Sequence, residues 1–271
     1  MKNIKIDCHV HTIVSPDSNT QLKAICNSAC EKDISSIIVT NHFEYYSGEK
    51  DGRRGADISF IENSLKEIEE CKTEFEGKLE ILFGMELGQA NQWIEGINKI
   101  TKSYPFDYLI GSLHKVNGID LKNWTYSKEN LEKQSIKYLD ALYDMVKNSE
   151  YDCVGHLDLI KRYAARHNEK IDLIKLYEGK IAEILKVVIE RGKGIEINTS
   201  GLRQEVKETM PSTQIIQLYK NLGGKIITIG SDSHNEKDVG EGFEESINIL
   251  KKVGFKQIAI YRARKPYFYD I

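Results

Sequence analysis

The sequence predicts an α/β fold in which parallel strands close into a (βα)7 barrel similar to a TIM barrel, with residues 1–271 as a single domain. Short apolar runs alternate with longer segments of helical period, and seven such strand–helix units follow one another. Each crossover helix returns the chain to the same edge of the sheet, so the strands are parallel, and seven or eight units commonly close into a barrel. No repeat or linker marks a second domain. An open doubly wound sheet is the alternative.

The predicted strands are short and mostly apolar, as expected of parallel strands that helices cover. The clearest of them is the near-continuous apolar run over residues 34–40. The full set covers residues 3–8, 34–40, 79–84, 108–112, 153–155, 194–198 and 225–230, with a terminal strand at 257–261. Each of the first seven leads into a segment of helical period.

The predicted helices carry apolar residues at spacings of three and four, as Ile61, Leu65 and Ile68 do. Gly192 is placed to end one helix, and Pro211 is placed to begin the next. The helices cover residues 22–30, 58–75, 93–100, 128–148, 171–191, 211–222 and 243–253. The polar segment 45–56 contains too little apolar material to pack and is predicted to be a loop.

Composition argues against several classes of partner. Hydrophobic residues make up 40% and charged residues 29% of the chain, a balance typical of a globular domain. The net charge of −3 provides no basic surface for nucleic acid, and no apolar run approaches the length of a membrane span. The first residues lack the apolar stretch of a signal peptide, and the five cysteines are scattered, so we expect reduced thiols in a cytoplasmic protein. Cys26 and Cys30 lie one helical turn apart, and packing inside a helix is favoured over a metal pair.

Six of the seven histidines lie at or just beyond the carboxyl end of a predicted strand. In a barrel these strand ends meet on one rim, where active sites are built. Three carboxylates, Asp17, Glu86 and Asp232, occur close to the same ends. So many titratable groups in one cavity need cations to bind the imidazoles and neutralise the carboxylates, and their number predicts two or three metal ions. The six histidines are His9, His11, His42, His114, His156 and His234; the seventh, His167, is predicted to be solvated.

The first strand ends in the sequence Asp-Cys-His-Val-His over residues 7–11. Alternation along an extended chain places Asp7, His9 and His11 on one face. Taken alone, a His-x-His pair is as compatible with surface or core polarity as with metal binding; the histidines of the other units favour metal. Asp7 is expected to orient a histidine. Glu196 is either a metal ligand or, as we favour, a carboxylate that orients a ligand from behind.

Together these motifs resemble the polymerase and histidinol phosphatase (PHP) superfamily. They are His-x-His at 9–11, Thr-Asn-His at 40–42, Gly-x-Glu at 84–86, Gly-Ser-x-His at 111–114, Gly-His-x-Asp at 155–158 and Ser-Asp-Ser-His at 231–234. Further segments are similar to the monofunctional histidinol-phosphate phosphatase branch, above all Asn-Thr-Ser-Gly-Leu-Arg at 198–203 and Arg-Lys-Pro at 264–266. The resemblance covers essentially the whole chain. Asp17 stands where some superfamily members have a histidine.

The resemblance implies a distorted seven-stranded barrel with a trinuclear metal centre. One metal would be bound by His9, His11, Glu86 and Asp232. A second would be bound by Glu86, His114 and His156, with Glu86 bridging, and a third by Asp17, His42 and His234. Zinc, iron and manganese all accept such mixed nitrogen and oxygen ligands, so the metal is not specified.

Arg162 and Arg203 are predicted to lie in loops after the fifth and sixth strands, on the same rim as the histidines. A phosphate monoester carries about two negative charges near pH 7, and the planar guanidinium binds such oxygens in pairs. Most arginines are simply solvated, but position and resemblance together favour phosphate binding. Lys115 and the Arg53-Arg54 pair are weaker candidates for the same role.

The ligand set and the arginines predict a phosphoric monoester hydrolase in which two metals activate a hydroxide. The resemblance implies that its substrate is L-histidinol phosphate and that the reaction is a step of histidine biosynthesis. Glu86, Asp232 and His234 are the predicted catalytic residues. The leaving alkoxide receives its proton from Asp232, His234, His42 or water, and the sequence does not choose among them. The alternatives are a phosphatase for phosphotyrosine or sugar phosphates, a nuclease, and a non-catalytic metal-binding module. The acidic net charge counts against a nuclease.

Overall fold

The computed structural model describes residues 4–44 and 57–271, so the predicted loop 45–56, with Arg53 and Arg54, lies outside the described residues. The strands are β1 (Ile6–Val10), β2 (Ser36–Val39), β3 (His42–Glu44), β4 (Glu80–Gly88), β5 (Tyr108–Ser112), β6 (Lys115–Val116), β7 (Ile119–Asp120), β8 (Cys153–Val154), β9 (Gly194–Asn198), β10 (Ile227–Gly230), β11 (Gln257–Arg262) and β12 (Lys265–Asp270). The α-helices are α1 (Leu22–Glu31), α2 (Ile58–Glu74), α3 (Ile94–Ser103), α4 (Leu131–Asn148), α5 (Ile160–Arg166), α6 (Leu173–Glu190), α7 (Ser200–Arg203), α8 (Thr213–Asn221) and α9 (Phe243–Val253).

Seven parallel strands form a sheet that closes almost completely into a barrel. Their order is β1-β2-β4-β5-β8-β9-β10, with β3 paired to β4 beside this path. The chain after β10 returns to β1, where Asp232 N donates to His9 O (2.8 Å) and His11 N donates to Ser233 O (2.9 Å). The predicted barrel is therefore confirmed, and the open doubly wound sheet is wrong.

Core packing and several caps follow the sequence pattern, but α8 begins at Thr213 instead of at Pro211. The Asp57 carboxylate accepts a hydrogen bond from Ser59 N at the start of α2, and Gly192 follows α6 with a positive φ of 68°. Tyr108 on β5 reaches Thr228 on β10 with a hydroxyl–hydroxyl distance of 3.0 Å, which fills the space between strands that are not neighbours. No helix of the described ranges is long and apolar enough to cross a membrane.

The structure departs from the predicted elements at their ends. β4 continues to Gly88 rather than ending at residue 84, because β3 pairs with its second half in the register His42 opposite Glu86. The predicted loops after β8 and β9 contain the short helices α5 and α7. The terminal strand is half of a hairpin, β11–β12, whose turn residues Ala263 and Arg264 both have positive φ. Pairing partners far along the chain decide these boundaries, so local pattern misses them.

Arg264 binds a buried carboxylate away from the predicted metal ligands. Its Nε donates to Asp152, whose Oδ2 also accepts a hydrogen bond from Leu109 N on β5 (2.8 Å). Its Nη2 donates to Glu150 Oε1 at 2.7 Å. Burial raises the pKa of Asp152, and Arg264 partly offsets this effect. The ion pair therefore joins the C-terminal hairpin to the segment that precedes β8.

We expect Arg264→Met to lower the free energy of unfolding by about 2 kcal/mol, because it removes the cation that donates directly to a buried carboxylate and leaves only Lys193, at 4.0 Å. Urea denaturation followed by circular dichroism measures this change. Lys23→Met is the control, since Lys23 pairs with Glu74 on the surface and should change stability too little to measure. Equal effects of both substitutions would show that the Asp152 ion pair has no special role.

Candidate metal centre

A cavity of about 640 Å³ opens at the carboxyl ends of the barrel strands. Seven of the nine predicted metal ligands line it, and His9 and His11 are fully buried behind Glu86 and Asp232. The structure thus brings all nine side chains together. The seven lining residues are Asp17, His42, Glu86, His114, His156, Asp232 and His234.

Glu86 lies at the centre of this group, between two sets of imidazoles. Its Oε1 is 2.9 Å from His156 Nε2 and 3.2 Å from His114 Nε2. Its Oε2 is 3.4 Å from His9 Nε2 and 2.8 Å from His42 Nδ1. One carboxylate therefore faces two candidate metal positions, as a bridging ligand must.

The first candidate position lies among His9, His11, Glu86 and Asp232. The Nε2 atoms of His9 and His11 are only 3.0 Å apart, and Asp232 Oδ1 is 3.6 Å and 3.4 Å from them. The ligand atoms of His9, His11 and Glu86 all lie within 4.8 Å of one another. Such convergence of imidazole nitrogens and carboxylate oxygens suits one divalent ion.

The second candidate position lies among Glu86, His114 and His156. The two imidazole Nε2 atoms are 3.3 Å apart, and both approach Glu86 Oε1. The ligand atoms of Glu86, His114 and His156 all lie within 4.8 Å of one another, as those of the first position do. This set matches the second metal that the family resemblance implies.

The third candidate position is the most open to solvent. Asp17 Oδ2 is 3.3 Å from His42 Nε2 and 3.2 Å from His234 Nε2. Asp17 is 55% exposed, whereas the side chains of the other two predicted sites are buried except for His114, which is 14% exposed. His11 groups with His42 and His234 as well, so the first and third positions are adjacent.

The donor chemistry fits divalent metal ions. Three buried atoms of the centre lack a hydrogen-bond partner: Glu86 Oε2, His42 Nδ1 and His156 Nδ1. Glu86 Oε2 and His42 Nδ1 are 2.8 Å apart, but their geometry is not that of a hydrogen bond. Burial, together with His234 and His42, lowers the pKa of His11 to about 3, so this imidazole is neutral and has a free lone pair. Burial opposes ionisation of Glu86, but His42 and His9 hold its pKa well below the usual value. Burial opposes protonation of His9, His42, His114 and His234, but the neighbouring carboxylates raise the pKa of each. A bound metal would replace these protons, because it requires neutral imidazoles and ionised carboxylates.

Two of these side chains occupy an unusual backbone conformation. His156 has φ 24° and Asp232 has φ 53°, in the positive region that non-glycine residues seldom adopt. Surrounding hydrogen bonds hold both: His156 N donates to Glu196 Oε2 (2.9 Å), and Asp232 N donates to His9 O. Backbone strain of this kind is concentrated at functional sites.

Two carboxylates outside the ligand set hold the centre in different ways. Glu196 Oε1 accepts a hydrogen bond from His9 Nδ1 at 2.6 Å, on the side of the ring away from Glu86, as the sequence analysis favours. Asp7 holds the backbone of a histidine instead of its ring, since its carboxylate accepts hydrogen bonds from His9 N (3.2 Å), Ser231 N (2.9 Å) and Gly240 N (2.7 Å). The register of β1 against β2 shifts between residues 7 and 10, which breaks the simple alternation of side chains.

The two predicted phosphate-binding arginines have different surroundings. Arg162, on α5, lines the cavity, with Nη1 3.9 Å from Asp232 Oδ2 and Nε buried without a hydrogen-bond partner. Arg203, at the end of α7, does not line it. Its Nη2 donates to Ser231 O (2.9 Å), Nε is 3.3 Å from Asp238 Oδ2, and Nη1 is buried without a partner. Lys115, on β6, is buried away from the cavity lining.

Several residues of the cavity wall escaped the sequence analysis. Glu44 lines the cavity and accepts a hydrogen bond from His114 Nδ1. Its position two residues after His42, on the same face of a strand, was the signal that could have found it. No comparable signal marked Asp120, Lys122 and Arg166, which also line the cavity.

Comparison with known proteins agrees with this geometry. The PHP domain model matches residues 7–200. A relative from Clostridium acetobutylicum, named "Probable histidinol-phosphatase", is 31% identical over 255 residues, which cover 93% of this chain and 95% of the relative. The histidinol-phosphatase of Lactococcus lactis subsp. lactis is 31% identical over 265 residues, 96% of each chain.

A solved structure shows the same architecture. The crystal structure of histidinol phosphate phosphatase from Lactococcus lactis, in complex with zinc, L-histidinol and phosphate, superposes with a TM-score of 0.83 at 28% identity. The match covers 97% of this chain and 98% of the other. The family model and the full-length relatives confirm the resemblance that the motifs suggest, and the chain belongs to the PHP domain family.

Proposed function

We propose that this chain is a single-domain, metal-dependent phosphatase that hydrolyses L-histidinol phosphate to L-histidinol and phosphate. The observation that carries the proposal is the cavity floor, where Glu86 lies between two sets of imidazoles while Arg162 lines the wall. The relatives named histidinol-phosphatase support the choice of substrate, as does the Lactococcus lactis structure with L-histidinol and phosphate bound.

Two or three divalent ions would occupy the three candidate positions. Mixed imidazole and carboxylate ligands accept zinc, iron or manganese, and zinc is the ion in the Lactococcus lactis complex. When bound, such ions supply a nucleophile from water near neutral pH and offset the charge on phosphoryl oxygens. The proposed ligands are His9, His11, Asp17, His42, Glu86, His114, His156, Asp232 and His234.

The chain's own side chains would bind the phosphate and manage protons. Arg162 lines the cavity with an unpartnered Nε, so its guanidinium can donate to phosphoryl oxygens. Arg203 would contribute through Nη1, its one unpartnered nitrogen. Asp232 and His234 lie on the same side, with 3.7 Å between Asp232 Oδ1 and His234 Nδ1, and would supply or relay the proton that the leaving alkoxide needs.

We expect Arg162→Ala to raise KM for the phosphorylated substrate by about 10- to 100-fold, because one charge-assisted hydrogen bond contributes roughly 1.5–3 kcal/mol. Arg162→Lys should recover part of this loss, since it restores charge but not paired donation. We expect a smaller increase for Arg203→Ala, because two of its three nitrogens already bind protein groups. Steady-state phosphate release measures all three. An unchanged KM in Arg162→Ala would remove this residue from the phosphate site.

Release of phosphate from L-histidinol phosphate by the purified protein, with metal content measured on the same sample, tests the proposed function. Rapid release with two or three metals per chain supports both substrate and centre. Bound metal without release would refute this substrate, and a panel containing phosphotyrosine and sugar phosphates would then identify another. A short oligonucleotide assay tests the nuclease alternative. Absence of hydrolysis for every substrate after metal reconstitution would favour the non-catalytic module.

A further inference from the structure

Glu44 is a buried acidic residue at the cavity that none of the metal positions above requires. It lies on β3, which pairs with β4 beside the main path of the barrel, in a register that places Glu44 opposite Gly88. Only 6% of the residue is exposed, yet it lines the cavity. A carboxylate buried at this depth needs a specific partner.

Gly88 provides the space that Glu44 occupies. A Cβ atom on Gly88 would lie 2.5 Å from Glu44 Cγ and 2.7 Å from Glu44 Cδ, closer than real Cβ contacts allow. Gly88 does not have a positive φ, so the backbone conformation does not require glycine here. Glycine is needed because any side chain would occupy the space of Glu44. Strand β4 is thus shaped to receive the Glu44 side chain.

The partner of Glu44 is His114. The Nδ1–H group of His114 donates to Glu44 Oε1, which leaves the lone pair on Nε2. That Nε2 atom is 3.2 Å from Glu86 Oε1 and 3.3 Å from His156 Nε2. The ring is therefore held by one nitrogen and directed towards the second candidate metal position by the other.

The same arrangement occurs at the first candidate position. Glu196 accepts a hydrogen bond from His9 Nδ1, and His9 Nε2 faces Glu86 and Asp232. Carboxylates that bind the far nitrogen of a ligating histidine fix its tautomer and its ring orientation. Glu44 therefore binds Nδ1 of His114 in the same way as Glu196 binds Nδ1 of His9.

We propose that Glu44 is a positioning residue, which holds His114 through Nδ1 so that Nε2 is presented to the ion shared with Glu86 and His156. The inference rests on the metal centre of the proposed function. Glu44 Oε1 also lies 3.7 Å from His42 Nδ1, and Glu44, His42 and His114 form a compact group. The alternative explanation is that Glu44 binds the ion directly, and the experiment must distinguish this from a role in orienting His114.

The test is the zinc affinity of the metal-free protein, measured by competition with a chromophoric chelator. Glu44→Ala should weaken one zinc site by about 10- to 100-fold, and Glu44→Gln, which still accepts from Nδ1, should recover part of the loss. His114→Ala and the double variant His114→Ala/Glu44→Ala should bind zinc equally, because a residue that acts through His114 has no effect without it. A further loss in the double variant would show direct binding by Glu44. Unchanged affinity in Glu44→Ala would also overturn the proposal.

Glycine substitutions supply a matched pair. Gly88→Ala leaves the Glu44 carboxyl group in the chain but displaces it, so it should weaken zinc binding as Glu44→Ala does. Gly179→Ala, on α6, meets no atom within 4 Å and should leave affinity unchanged. Thermal unfolding checks that each variant folds. The readout contains no substrate, so failure to hydrolyse L-histidinol phosphate would refute the proposed function without deciding the role of Glu44.

Discussion

Replacing Glu86 by glutamine is expected to abolish phosphate release and to reduce the metal content of the protein. The two carboxylate oxygens face different imidazole sets, at 2.9 Å from His156 Nε2 and 2.8 Å from His42 Nδ1. An amide cannot bridge two cations as a carboxylate does, so two metal positions lose a ligand at once. The loss of metal-derived stabilisation, several kcal/mol, corresponds to a fall in kcat of about 1000-fold or more.

Glu80→Gln is the matched control for this experiment. Glu80 begins the same strand, β4, where it pairs with Arg262 at 2.6 Å, and it does not line the cavity. This variant should keep full activity and metal content. Metal analysis by mass spectrometry and phosphate release on the same samples give the two readouts. If Glu86→Gln retained both activity and metal, the proposed centre would be wrong.

Removing the metals with a chelator should have an effect of similar size. Glu86 and Asp232 are buried carboxylates that face imidazoles, and bound ions would link the two kinds of ligand. Phosphate release should fall by at least about 100-fold, since activated water and charge neutralisation are both lost. The thermal midpoint should fall as well, because ions that bind only the native state stabilise it.

Stepwise return of zinc, manganese or ferrous iron should restore activity, and the number of equivalents needed reports how many of the three positions the reaction uses. Chelator already saturated with zinc is the control and should leave the rate unchanged. Full activity in protein with less than about one tenth of a metal per chain would contradict metal-dependent hydrolysis. The same titration, made on Glu44→Ala, connects this experiment to the positioning role of Glu44.

Local pattern was sufficient for the architecture and for most of the centre. Apolar runs mark buried strands because both faces of such strands are covered, so the seven barrel strands could be predicted. The carboxyl ends of parallel strands share one rim, so histidines and acids at these ends could be grouped without coordinates. His9, His156 and Asp232, distant in the chain, meet in the structure on that basis.

Residues whose surroundings depend on distant pairing could not be predicted from local pattern. Asp7 accepts hydrogen bonds from the backbone of Ser231 and Gly240 as well as from His9 N, so it holds the backbone of His9 instead of its ring. Arg203 contacts Ser231 O instead of lining the cavity, although it follows a strand end as Arg162 does. In both cases the direction of the side chain is fixed by contacts with the segment after β10.

A barrel of parallel strands, with six histidines and three carboxylates on one rim, could be predicted from the amino-acid sequence, because strand direction and side-chain chemistry are local properties. Which nitrogen of a histidine faces the centre, and which carboxylate binds its other nitrogen, depends on contacts between distant segments of the chain. Glu44 and Gly88 show the reason: they meet through the pairing of β3 with β4, across a separation in the chain that no residue spacing encodes.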